Sequence, residues 1–127
     1  MIVGTGIDIA ETRRIQESIE RYGDRFTGRI YTPVEIEYCE RHKNRAERYA
    51  AAFAAKEAAF KALGTGWTGG VRWLDVEVWH QPSGKPELSL KGRAWEVAQG
   101  LRVARMAVSL SHAEAYAVAQ VIFESDG

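Results

Sequence analysis

Apolar positions recur along this chain with two different periods, and the change of period divides it. In the first half Ile15, Ile19, Tyr22 and Phe26 return at steps of three and four, which predicts a helix from Thr12 to about Phe26. Thr32-Pro33-Val34-Glu35 is a stronger start signal: threonine caps, proline fits the first helical position, and Glu35 closes a capping box. That second helix should reach about His42. A longer one is predicted from about Arg45 to Gly64, a natural C-terminal glycine. Ahead of them Met1 to Ile9 is β-branched and punctuated by glycine, predicting a strand that ends near Asp8. The second half alternates instead. Leu74, Val76 and Val78 mark a half-buried strand, Pro82 to Pro86 a turn, and Glu87 to Lys91 a return strand. Gly92 to Gly100 reads as a short helix. Met106 to Ser111 and Ala115 to Phe123 form an antiparallel hairpin around His112-Ala113-Glu114. One strand, then helices, then mostly strands predicts an α+β fold rather than a doubly wound parallel sheet. With no repeat or linker, residues 1–127 read as a single domain.

Composition narrows the class. Seventeen basic residues balance seventeen acidic ones, which argues against a general nucleic-acid binder. No apolar run approaches the roughly 20 residues of a membrane span, and the N-terminus lacks a basic-then-apolar signal pattern. Cys39 is the single cysteine, so no intramolecular disulfide forms and a cytoplasmic location is expected.

On the long helix Tyr49, Phe53, Lys56 and Phe60 fall within about 60° of one another and should pack on the sheet. Lys56 inside that stripe either snorkels along the core edge or marks a functional boundary. Glu57 and Lys61 form the adjacent stripe, with alanines at 50, 54 and 58 leaving room for a ligand. The plain alternative is an ordinary surface Glu–Lys pair worth about 0.2–0.5 kcal/mol. Asp8 follows Gly4-Thr5-Gly6-Ile7, glycines that fit close backbone approach rather than a dinucleotide fingerprint. If Asp8 and Glu57 converge, they supply two hard oxygen ligands of the kind Mg2+ accepts beside waters and phosphate oxygens. Three scattered histidines and one cysteine give no zinc spacing. Of those histidines, His80 reads as structural, His42 as an exposed helix-end residue, and His112 as a turn histidine or a phosphate contact beside Ser109 and Ser111. Cys39 has no basic neighbour in sequence and is not expected to be a nucleophile. Arg14, Arg21 and Arg25 fall within about 40° of each other on a helical wheel of the first helix. That face is either a solvated surface or a docking surface for an acidic protein.

Gly6-Ile7-Asp8-Ile9, the run from Phe53 to Gly64 (FAAKEAAFKALG), Gly84-Lys85-Pro86 and Ser109-Leu110-Ser111-His112 occur in that order. Together they resemble the signature of the small 4'-phosphopantetheinyl transferases that act on acyl carrier proteins, over nearly the whole chain. The resemblance implies a mostly antiparallel sheet packed with helices, and an active site at the subunit interface of a homotrimer. The implied reaction moves the 4'-phosphopantetheine arm of coenzyme A onto a serine of apo-acyl carrier protein, in fatty acid biosynthesis, releasing adenosine 3',5'-bisphosphate. By motif position it implies Asp8 and Glu57 as Mg2+ ligands and Glu57 and Lys61 as catalytic groups. Lys61, Gly64, Lys85, Pro86 and His112 are implied as coenzyme contacts. Carrier proteins are acidic, which gives Arg14, Arg21 and Arg25 a partner. One position departs from the pattern: many members have an arginine directly before the phenylalanine of the long block, and here it is Ala52, so Arg45 or Arg48 is expected to substitute. The alternative is a non-catalytic trimeric binding module, which predicts no Mg2+ dependence. A phosphohydrolase would bring a phosphate loop or nucleophile motif, and neither is present.

Overall fold

Glycines placed where a helix must lie against a strand govern this fold. The computed structural model describes residues 1–65 and 69–127. Strand β1 (Ile2–Glu11) pairs antiparallel with β5 (Tyr116–Glu124), which pairs antiparallel with β4 (Arg105–His112), giving a sheet in the order β1-β5-β4. Helix α4 (Arg45–Leu63) lies across its inner face. A Cβ added to Gly4 would collide with the carbonyl of Ala62, and one on Gly6 with the carbonyl of Ala58. The two glycines therefore let the helix backbone rest directly on β1, and the buried alanines 50, 51, 54, 55, 58 and 59 keep the interface thin.

The remaining helices close the other side. Helix α1 (Thr12–Tyr22) stops at Gly23, whose backbone (φ 55, ψ −131) returns its N–H to the Ile19 carbonyl, and α2 (Asp24–Ile30) restarts the chain. The single helix expected from Thr12 to Phe26 is thus two, because glycine adopts a positive φ without a Cβ clash. Arg25 consequently sits on α2, off the face shared by Arg14 and Arg21 on α1. Helix α3 (Pro33–Glu40) has the expected capping box: Thr32 Oγ1 accepts from the Glu35 N–H at 3.3 Å, and Glu35 Oε1 accepts from the Thr32 N–H at 2.8 Å. It ends two residues before His42. Helix α4 ends where expected, with Gly64 left-handed at φ 80.

After a single 3-10 turn (Trp73–Asp75), which takes Leu74 out of the expected strand, β2 (Val76–His80) and β3 (Pro86–Leu90) form a separate antiparallel hairpin. Helix α5 (Gly92–Gly100) and the β4–β5 hairpin follow within a residue or two of the expected ends. The expected end of the first strand moves further. Asp8 pairs with Ala119 inside the ladder, which runs on through Glu11 opposite Tyr116. Nothing between Asp8 and Glu11 breaks pairing with β5, so the strand continues. On β5 the inward residues Ala117, Ala119, Val121 and Phe123 are fully enclosed. On the outward face Ile7, Ile9 and Tyr116 are 61%, 62% and 52% exposed.

Candidate active site

Alternation along β1 points Asp8 toward α4, in phase with Gly4, Gly6 and Ala10. Because Gly6 brings the Ala58 turn of α4 against the strand, the two residues flanking that turn on the open side, Glu57 and Lys61, arrive beside Asp8. The Lys61 Nζ donates to the Ile7 carbonyl at 2.8 Å and to Asp8 Oδ1 at 3.2 Å. Glu57 is half-buried, and its pKa is raised, first by burial and then by the nearby Asp8 charge, with Lys61 opposing. The condition set from sequence, that Asp8 and Glu57 lie near one another, is met to the extent that the Asp8 charge is felt at Glu57. Glu57 and Lys61 are more than a surface pair within one helix, since both engage a residue about fifty positions away.

Two carboxylates at one point do not make a cage. Among the described residues no group of three or more His, Cys, Asp or Glu side chains is arranged to hold a metal. That donor set fits Mg2+, which takes one or two carboxylates and completes its shell with waters and substrate phosphate oxygens. It does not fit a structural zinc.

The other coenzyme contacts expected from sequence lie elsewhere. At 100° per residue, Arg48 stands about 180° around α4 from Glu57, and Ala52 about 140°. Both line a cavity of about 150 Å³ with His80, Gly84, Pro86 and His112. Within one chain, Asp8, Glu57 and Lys61 are thus on one side of α4, while His112 and Pro86 are on the other. Gly64 caps the helix and is exposed; Lys85 is exposed with its ammonium 3.6 Å from Glu87. The His112 Nδ1 is 3.0 Å from Glu47 Oε1, an anchor at a separation of 65 residues that sequence did not reveal. Ser109 and Ser111 do not accompany His112: they point to the outward face, because β4 alternates. Of the two candidates to replace an arginine at position 52, Arg45 is held by Glu40 at 2.8–2.9 Å. Arg48 faces the cavity.

Other expectations change. Lys56 neither snorkels nor borders the site. It is fully buried, with its Nζ 2.7 Å from Glu35 Oε1, while Glu35 Oε2 accepts from the Val78 N–H at 2.7 Å. Glu35 was visible in sequence only as a capping residue. His42 is half-buried and 2.7 Å from the Tyr38 carbonyl through Nδ1. Burial pushes the Cys39 thiol up to about 12, so it is no nucleophile at neutral pH.

Residues 4–121 match the family model of the 4'-phosphopantetheinyl transferase superfamily. The chain belongs to that family. Among relatives, a holo-[acyl-carrier-protein] synthase of Koribacter versatilis (strain Ellin345) is 60% identical over 124 residues, covering 98% of this chain and 99% of the relative. The crystal structure of the holo-[acyl-carrier-protein] synthase of Neisseria meningitidis superposes with a TM-score of 0.88 at 34% identity, covering 98% of this chain and 100% of that one. The Helicobacter pylori holo-[acyl-carrier-protein] synthase, solved in complex with coenzyme A, gives 0.83 at 30% identity, covering 94% and 99%. The α+β phosphopantetheinyl transferase fold is therefore common to this chain and to enzymes of the family. No helix among the described residues is long and apolar enough to cross a membrane.

Proposed function

We propose that this phosphopantetheinyl transferase moves the 4'-phosphopantetheine group of coenzyme A to a serine of apo-acyl carrier protein, releasing adenosine 3',5'-bisphosphate. The observation that carries the reading is the meeting of Asp8, Glu57 and Lys61 at the β1–α4 contact, on the residues of the family block. Mg2+ held by Asp8 and Glu57 would neutralise the diphosphate of the coenzyme. Lys61, fixed by the Ile7 carbonyl, has a further N–H for a phosphate oxygen and balances charge growing on the leaving group. Transfer of this kind needs alignment and charge more than covalent help from the protein. Glu57 takes the serine proton, directly or through water. The decisive experiment incubates the protein with coenzyme A, Mg2+ and an apo-carrier protein and reads the carrier by mass spectrometry. Addition of phosphopantetheine supports the reading; none across several carriers, or equal transfer without Mg2+, overturns it.

The working unit in this reading is a homotrimer with the site between subunits. Two features support it: the exposed Ile7, Ile9 and Tyr116 face, and the separation of the two sets of coenzyme contacts by α4. A coenzyme that reaches both sets then spans two copies. Light scattering should give three times the chain mass; a monomer with full activity would overturn it.

Arg14 and Arg21 are exposed on α1 and line one groove with Ile9 and Phe53, the latter one turn before Glu57. An acidic carrier docked there lies next to the site. Exchanging both for glutamate should raise KM for the carrier at least about tenfold by replacing attraction with repulsion, with little change in coenzyme KM. Equal loss for both substrates would rule out docking. Arg25, on α2, belongs to a neighbouring groove with Tyr22 and Phe26 and should contribute less. The reading places the enzyme in the cytoplasm, in fatty acid biosynthesis; rescue of a fatty-acid-requiring strain lacking its own transferase checks that role.

A further inference from the structure

Helix α4 meets the sheet through a smooth face. Its buried alanines 51, 54, 55, 58 and 62 fall within about 100° of the helix circumference. Around Asp8 the inner side of the sheet answers with Gly6, Ala10, Ala117 and Ala119. Side chains this short let two backbones approach closely. They do not form the deep ridges and grooves that lock a helix at one rotation about its axis. On the opposite arc of α4, Phe53 and Phe60 pack against Trp73, and the apolar part of such contact is non-directional.

The contact made by Lys56 is different, being both directional and dry. Lys56 leaves α4 about 160° around from Ala58. Its ammonium lies 2.7 Å from Glu35 Oε1, with both side chains fully buried. Glu35 cannot follow a moving lysine, because two other elements hold it. Oε1 also accepts from the Thr32 N–H at the start of α3, at 2.8 Å, and Oε2 accepts from the Val78 N–H of β2, at 2.7 Å. Lys56 is also the residue directly before Glu57, so the fixed side chain adjoins the carboxylate that feels Asp8.

A group at the helix surface lies about 5–6 Å from the axis, so turning α4 by about 10° moves it roughly 1 Å. The same turn drags the Lys56 ammonium off Glu35 and separates two charges in a dry interior, which is strongly unfavourable. A displacement of about 1 Å at a reacting group costs on the order of 100-fold in rate. We infer that the Lys56–Glu35 ion pair is a positioning device for transfer: it sets the rotation of α4 against the sheet and so holds Glu57 and Lys61 in register with Asp8. Both residues act through α4 rather than on the substrate. The inference rests on the transfer reading and gives a reason for burying a lysine beside a metal-binding glutamate.

The test uses Lys56→Met combined with Glu35→Gln, which keeps the approximate shape of both side chains and leaves no stranded charge. Val76→Ala, a truncation in the core of β2, is the control for lowered stability with the pair intact. All proteins are assayed well below their thermal midpoints. In the double variant kcat should fall about 10–100-fold, with KM for the carrier within about threefold of the wild type. Calorimetry of coenzyme A binding, in Mg2+ and in EDTA, gives a readout free of turnover. The gain in affinity brought by Mg2+ should shrink about tenfold in the double variant, as when the groups that orient metal ligands are lost. Affinity in EDTA should stay within about threefold, and Val76→Ala should keep the whole gain. Glu35→Gln alone covers a double variant that does not fold and should show the same pattern at smaller amplitude. A Mg2+ gain left intact in the double variant overturns the inference, whatever happens to kcat. An equal loss in Val76→Ala also overturns it, since general loosening then accounts for the effect. If the wild type modifies no carrier, a gain lost only in the pair variants still supports the positioning role. Normal wild-type transfer with the gain intact in those variants removes that role alone.

Discussion

Replacing Glu57 with glutamine should lower kcat for transfer by about 10³-fold, the worth of a positioned base, with the fold unchanged. Glutamine preserves shape and the half-buried packing against β1, so its thermal midpoint should match the wild type. What it loses is the negative charge beside Asp8 and the ability to accept the serine proton. The raised pKa adds a second signature. In Mg2+-free protein the Glu57 carboxyl should titrate above its ordinary value, because burial and Asp8 both disfavour its charged form. Protons and Mg2+ then compete for the same anion. The Mg2+ concentration needed for half activity should rise as pH falls through that raised pKa, and this dependence should weaken in the glutamine variant. Near-normal turnover of the variant in Mg2+ would overturn the assignment.

Replacing Lys56 with alanine should destabilise the protein by about 3–5 kcal/mol, the typical cost of stranding one member of a buried ion pair. Glu35 would keep its bonds from the Thr32 and Val78 N–H groups but lose the cation that offsets its burial. Burial raises the Glu35 pKa and the Lys56 charge opposes that rise. Without Lys56 the carboxyl should hold its proton to a higher pH. Against a total stability on the order of 5–15 kcal/mol the loss is a large share, and the thermal midpoint should fall by roughly 10 °C or more. A Lys56→Met, Glu35→Gln double variant removes both charges and should recover part of the loss. If the alanine variant melts within about 2 °C of the wild type, the pair carries little stability, counter to the cost expected from its burial. The pair ties α3 and β2 to α4, between the carboxylate side and the cavity side of that helix. Scanning calorimetry therefore reads the element on which both halves of the site depend.

Which parts of this were legible beforehand follows from how far apart the interacting groups lie. The Thr32–Glu35 box, the Gly64 stop and the β4–β5 hairpin are local: each is set by residues within a few positions, and each appears where the pattern puts it. Gly23 was less legible, because the apolar spacing of Ile19, Tyr22 and Phe26 continues across the break while the backbone does not. The end of β1 lies beyond Asp8 for the same kind of reason, since pairing with β5 rather than local propensity decides where that strand stops.

The candidate site divides the same way. By itself the sequence determined the residue types and the helical wheel: Glu57 and Lys61 one turn apart, Arg48 on the opposite face, glycines at 4 and 6 that permit a backbone to approach. It also carried the motif order that the family match confirms. Only the tertiary structure decided what covers each face of α4. Gly6 against Ala58 brings Asp8 to Glu57 and Lys61, Glu35 reaches 21 residues to Lys56 and 43 to Val78, and Tyr38 meets His80 from another element. A wheel fixes angles around one axis through backbone hydrogen bonds four residues long. Contacts between elements depend on how whole faces pack, and no local spacing encodes that.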